Sequence, residues 1–165
     1  MSTKRRSFEK GHKRKYLVVI DDTEECERAV HWAAKRVGRT KSQLIMLRVI
    51  ETAERNQQWL GVADIMKAEE QEAANKALDK FGEIAHKLAH RVPERVIREG
   101  NTTAEEIVKL IDEDTDIGIL VLAAGVGKEG PGPLITSICK SASTFPIPVA
   151  IVPGHLKDDE LDAMA

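Results

Sequence analysis

The chain has 165 residues and a mass of 18.3 kDa, is 42% hydrophobic and 32% charged, and is sized for one compact domain that buries its core without disulfide or metal staples. Its formal net charge of −2 and pI of about 6.2 give no global attraction to nucleic acid or to an anionic membrane. No apolar run reaches the roughly 18 residues of a membrane span, and the basic start lacks the apolar core of a signal peptide, so a cytoplasmic protein is expected, with neither nucleic acid nor membrane as partner.

Residues 1–14 carry almost only positive charge (Lys4, Arg5, Arg6, Lys10, Lys13, Arg14), with Phe8 as their one Phe, Tyr or Trp, and read as a basic, solvated, mobile tail. The domain spans 15–154. Its first strand is Tyr16–Ile20, which ends in Asp21, Asp22 and Thr23. A helix follows, with Cys26, Ala29, Val30, Ala33 and Val37 on its inner face, Asp22 or Thr23 as cap, Glu24 and Glu25 in the first turn and a stop near Gly38. The second strand is Leu44–Ile50. A polar segment, Glu54–Gly61, holds Trp59, either a local packing anchor or a cover for a site mouth or partner. The second helix runs from Asp64 to Ala89 on a stripe of Ala74, Ala77, Leu78, Phe81, Ala85 and Leu88.

The third strand is Arg95–Arg98. Thr103-Ala-Glu-Glu106 reads as a capping box that opens a helix with Ala104, Ile107, Val108 and Ile111 inward. The fourth strand is Ile117–Ala123, followed by a Gly/Pro loop. A last helix begins near Leu134, turns Ile135, Ile138, Ala142 and Phe145 inward and ends before Pro146; the fifth strand is Pro148–Val152. Asp158, Asp159, Glu160 and Asp162 make residues 155–165 an acidic, mobile tail. Strands that are apolar almost throughout belong to a parallel sheet covered on both faces, and right-handed crossovers make βαβαβαβαβ an α/β, Rossmann-like, doubly wound sheet of five strands.

Chemistry is sparse. Cys26 and Cys139 are far apart, with no CxxC pair, and read as buried thiols on apolar helix positions. His86 and His90 have metal-ligand spacing but oppose the apolar stripe of their helix, so no metal site is expected. His31 has no triad partners, no Gly-x-Ser-x-Gly elbow exists, and Gly127-Lys128 lacks the rest of a phosphate-binding loop of the Walker type, so no catalytic residue is assigned. Asp21 stands at the carboxyl end of a strand, where open α/β sheets bind ligands; a turn or capping role at the strand–helix junction is the alternative.

The residues Leu17-Val-Val-Ile-Asp21-Asp-Thr23, Leu44-Ile-Met-Leu-Arg-Val-Ile-Glu51, Val96-Ile-Arg-Glu-Gly100, Ala104-Glu-Glu-Ile107 and Pro146-Ile-Pro-Val-Ala-Ile-Val-Pro153 resemble the universal stress protein family, the UspA-like domain, from about residue 15 to residue 153. The resemblance implies strand order 3-2-1-4-5 and a homodimer paired through the last strand (Val149, Ala150, Ile151, Val152), whose apolar edge gives such pairing a physical reason. It also implies a stress-response regulatory role and, in some members, ATP bound with magnesium as a signal.

Nucleotide-binding members carry an aspartate after the first strand and a loop of Gly, two residues, Gly, nine residues, Gly, then Ser or Thr, whose N–H groups and helix N-terminus face phosphates. Asp21 matches the aspartate, Asp22 replaces the usual glycine, and Thr23 keeps a small hydroxyl. The loop departs from the pattern. Ala123 and Val126, or Ala124 and Gly127, fall on its first glycines, Thr136 replaces another, and Pro131 and Pro133 lack N–H groups. The candidate nucleotide contacts are Asp21, Asp22, Thr23, Val49, Gly125, Gly127, Lys128, Gly130, Thr136 and Ser137. A ligand-free dimeric interaction module is one alternative; a slow ATPase drawing on Asp21, Asp22 or Glu129 is another.

Overall fold

The apolar runs pair into one parallel sheet, seen in a computed structural model that describes residues 3–52 and 60–165. Its strands are β1 (Lys15–Val19), β2 (Gln43–Glu51), β3 (Glu94–Gly100), β4 (Ile117–Ala124) and β5 (Val149–Pro153). Their order is β3-β2-β1-β4-β5, as the resemblance implied. Tyr16 lies opposite Leu44 on one side and Ile119 on the other, so β1 is the centre of the ladder. The helices are α1 (Cys26–Thr40), α2 (Leu60–Ala89), α3 (Thr103–Glu113), α4 (Pro133–Lys140) and α5 (Asp158–Met164). Trp59 lies outside the described residues.

Strand alternation splits the core in two. Tyr16 and Val18 point to α1 and α2, meeting Val30, Ala33, Leu78 and Phe81, while Leu17 and Val19 point to α3 and α4, meeting Ile107, Ile111, Ile135 and Ile138. Both faces are thus dry, which is why the strands carry so few polar residues.

Several local details differ from the sequence expectations. Neither Asp22 nor Thr23 caps α1, which begins at Cys26 after a turn. It also runs through Gly38 to Thr40 and closes at Lys41, whose φ of 54° is left-handed and whose N–H meets Val37 O. Gly38 serves a helix contact instead: a Cβ there would stand 3.1 Å from Leu88 O and 3.3 Å from Ala89 Cα, so α1 and α2 approach this closely only over a glycine.

The capping box sits one residue earlier than expected, with Thr102 Oγ1 accepting the Glu105 N–H at 3.2 Å. The buried face of α3 accordingly uses Leu110, while Val108 is exposed. Helix α4 stops at Lys140 because a 3-10 turn over Ala142–Thr144 follows, leaving Ala142 exposed. Of the two thiols only Cys26 is buried, and burial pushes it up to about 12; Cys139 is exposed.

Both chain ends, expected as mobile tails, are held against the domain. The Arg5 guanidinium donates to Ile111 O at 2.7 Å, Asp114 O at 3.2 Å and Ile117 O at 3.2 Å, bridging the end of α3 and the start of β4. Arg6 N–H reaches Thr115 O at 3.0 Å, and His12 pairs with Asp116 at 2.7 Å. At the other end α5 docks on α1. Leu161 is fully buried, Arg28 lies 2.7 Å from Asp158, and His31 Nε2 lies 2.7 Å from Asp162.

The hydrogen bond with His31 holds the Asp162 carboxyl below the usual carboxylate range, and the charges of Lys35, His31 and Arg39 act in the same direction. A carboxyl depressed on folding contributes its stabilisation above the unfolded value and loses it as pH falls through the folded one. Docking of α5 is therefore expected to hold at neutral pH and weaken as pH drops below about 4. Protection factors of the amides of residues 158–164, taken relative to the intrinsic exchange rate at each pH, check this and should fall at the acid end.

Candidate ligand cleft at the ends of the central strands

A cavity of about 630 Å³ opens at the carboxyl ends of β1 and β2. Its floor is Val19 to Thr23 and Arg48 to Glu51; Thr102, Thr103 and Ala104 of the α3 start form one wall, Pro133, Leu134 and Ser137 of α4 another, and Glu70 and Ala73 of α2 the third. A smaller recess of about 100 Å³ continues from it past Asp21 and Thr23 toward Pro131 and Gly132. The two together lie beside the point where the chain reverses its direction of growth between β1 and β4, the location at which doubly wound sheets bind ligands.

Asp21 stands between β1 and α1. It lines the cavity, and its Oδ1 accepts the Thr23 N–H at 3.0 Å and the Thr23 hydroxyl, which fixes the turn into α1. Asp22 faces Arg48: Nη1 donates to Oδ1 at 3.1 Å and Nη2 to Oδ2 at 2.9 Å. Hydrogen bonding from Arg48 holds the Asp22 carboxyl below its ordinary value, so it is ionised at neutral pH. On the opposite rim Glu51 Oε1 accepts the Thr103 N–H at 3.2 Å and the Thr103 hydroxyl at 2.7 Å, taking up the dipole end of α3.

The glycine loop is arranged differently from a phosphate cradle. Gly125 N–H donates to Pro131 O at 3.0 Å and Gly130 N–H to Gly127 O at 3.2 Å, so the loop closes on itself. Gly127, Lys128 and Gly130 form an exposed tip and do not line either cavity. Thr136 turns its hydroxyl back to Gly132 O at 3.0 Å.

Of the residues singled out from the sequence, Asp21, Asp22, Thr23, Val49 and Ser137 are brought together, while Gly125, Gly127, Lys128, Gly130 and Thr136 stand away from the cavity. Arg48, Glu51, Glu70 and Thr103 complete it without having been singled out. Arg48 did leave a signal, since it is the one charge inside the apolar run Leu44–Ile50.

Among the described residues no three His, Cys, Asp or Glu side chains are grouped to hold a metal, and no helix is long and apolar enough to cross a membrane. The residues present make a poor fit to a magnesium triphosphate. Asp22 and Glu51 are tied to other donors, and Pro131 and Pro133 present no N–H.

The sequence model of the universal stress protein family matches residues 13–153. The chain belongs to this family. No curated protein matches it. Solved structures resemble this universal stress protein domain at low identity. UspA from Lactobacillus plantarum is 15% identical with a TM-score of 0.66, the match covering 85% of this chain and 97% of that one. A universal stress protein in complex with cAMP is 16% identical with a TM-score of 0.58, covering 86% and 98%. The Archaeoglobus fulgidus universal stress protein in complex with dAMP is 16% identical with a TM-score of 0.57, again covering 86% and 98%. These likenesses establish the family fold; residues 155–165, with α5, lie beyond the stretch matched to the family.

Proposed function

We propose that this universal stress protein is a cytoplasmic, homodimeric regulator that binds an adenine nucleotide as a signal in the cleft at the ends of β1 and β2. The observation that carries the reading is the convergence there of Asp21, Thr23, Val49 and Ser137 on one cavity of about 630 Å³, a volume within the range of small-ligand sites. Structures of the same fold in complex with cAMP and dAMP support adenine as the base. The dimer reading draws on β5, an edge strand with Ile151 45% exposed. ATP with magnesium remains the form that the family pattern suggests, and it is one of the ligands to be compared.

The test is calorimetric titration with AMP, cAMP and magnesium ATP, with sedimentation of the same samples for the dimer. Saturation near one nucleotide per chain is expected, with affinity reduced at least about tenfold in Asp21→Ala, the size of effect that losing one hydrogen bond to a polar ligand group produces. Circular dichroism verifies that the variant folds, because Asp21 also holds the turn. Absence of heat to millimolar concentration would favour the ligand-free module, a reading that the self-closed loop supports.

A further inference from the structure

We propose that Arg48 is the anion anchor of the cleft, and that the Asp22 carboxylate holds that place until the single phosphate of a nucleotide displaces it. This inference rests on the nucleotide reading and names the class of nucleotide. Arg48 is the one cationic side chain lining the main cavity among the described residues; it shares that lining with Asp21 and Glu51 and is paired with Asp22. With the loop N–H groups of Gly125 and Gly130 bonded within the loop, a phosphate finds its strongest donor in this guanidinium.

The pair is built for exchange. Arg48 is anchored, its side chain 14% exposed and its Nη1 3.4 Å from Ile20 O, whereas Asp22 is 83% exposed and free to swing out. Asp22 meets Arg48 through two parallel N–H···O bonds, the same fork that a phosphate accepts. The carboxylate end of the pair stands in water, so a phosphate held nearby by its nucleoside can take over the same two N–H donors as Asp22 leaves.

Charge then sets the ligand class. Among the described lining residues, Asp21, Asp22 and Glu51 set three carboxylates against one guanidinium. One phosphate replaces Asp22 on Arg48 and is neutralised. The further phosphates of ATP would face Asp21 and Glu51, with no second cation among the described lining residues to meet them. A nucleoside monophosphate, linear or cyclic, is the preferred class.

Titrating the wild type, Arg48→Gln and Asp22→Asn with adenosine, AMP and ATP in magnesium-free buffer tests this. The expected result is tighter binding of AMP than of adenosine or ATP in the wild type. Arg48→Gln should lose roughly tenfold to a hundredfold for AMP, the range for a hydrogen bond to a charged group, with adenosine changed by less than about twofold. Asp22→Asn should bind AMP tighter and adenosine unchanged, and this variant keeps Arg48 and its bond to Ile20. Equal affinity for adenosine and AMP in the wild type, or AMP binding unaffected by Arg48→Gln, overturns the anchor and leaves the nucleoside site standing. Failure of all three ligands to bind overturns both.

Discussion

Replacing Gly154 by alanine is expected to lower the melting temperature by roughly 6–12 °C, the consequence of about 3 kcal/mol of overpacking in a domain of this size. Gly154 follows β5 and donates its N–H to Ala124 O at 2.9 Å. A Cβ at Gly154 would stand 2.3 Å from that same oxygen and 3.1 Å from Glu25 Cβ. No rotamer change relieves a clash with a backbone carbonyl, so the end of β4 or the turn after β5 has to move. Ala124 leads directly into the Gly/Pro loop, and Glu25 opens α1, so the displacement reaches the ligand cleft as well. Thermal unfolding reads the stability, and Gly127→Ala is the control. Gly127 has open space where its Cβ would be, and that substitution should shift the midpoint by less than about 2 °C, as surface changes do.

The second large effect is expected from Leu161→Ala, which should remove about 2–5 kcal/mol from the docking of α5. Leu161 is fully buried in the core cluster on the α1 side of the sheet, with Leu156, Ala150 and Val152 in the same cluster. The remaining ties of α5 are polar and lie at its rim: Asp158 with Arg28, Asp162 with His31, and the carbonyls of Asp162 and Ala165 with Arg39. Such contacts orient a helix more than they hold it. Native-state hydrogen exchange separates the two levels of stability. Amides of 158–164 should lose their protection in Leu161→Ala while those of β1 and β4 retain it, because the last helix opens as its own unit. Protection at 158–164 equal to the wild type would mean that the ion pairs, not Leu161, hold α5.

How much of this was legible in the sequence follows from the kind of signal each element carries. The strands were readable because runs such as Leu17–Ile20 and Leu44–Leu47 are buried on both faces and so contain almost nothing polar. Helix α5 was not. Lys157-Asp-Asp-Glu-Leu-Asp-Ala-Met164 shows one large residue that the fold buries, and its cationic partners Arg28, His31 and Arg39 lie far away in the chain.

Gly38 looked like a helix terminator because glycine often is one; its actual role, the close pass of α1 over α2, is a tertiary fact that no local pattern encodes. The cleft divided in the same way. Asp21, Thr23 and Val49 follow from strand ends, which sequence locates well. The loop's closure on itself depends on which carbonyls come within reach of Gly125 and Gly130, and glycine content alone reports only that the backbone is permissive.

Strand β1 is made first and ends in the middle of the sheet. Its neighbours come from residues 43–51 and 117–124, the second of them about a hundred residues downstream. A fragment or nascent chain that stops short of Ile117 therefore has an open flank along Tyr16–Val19, apolar and with its hydrogen-bonding groups unpaired, which is the surface through which incomplete chains adhere to one another. The time the ribosome takes to extend from β1 to β4 is the interval in which this protein most depends on being kept apart from its own copies.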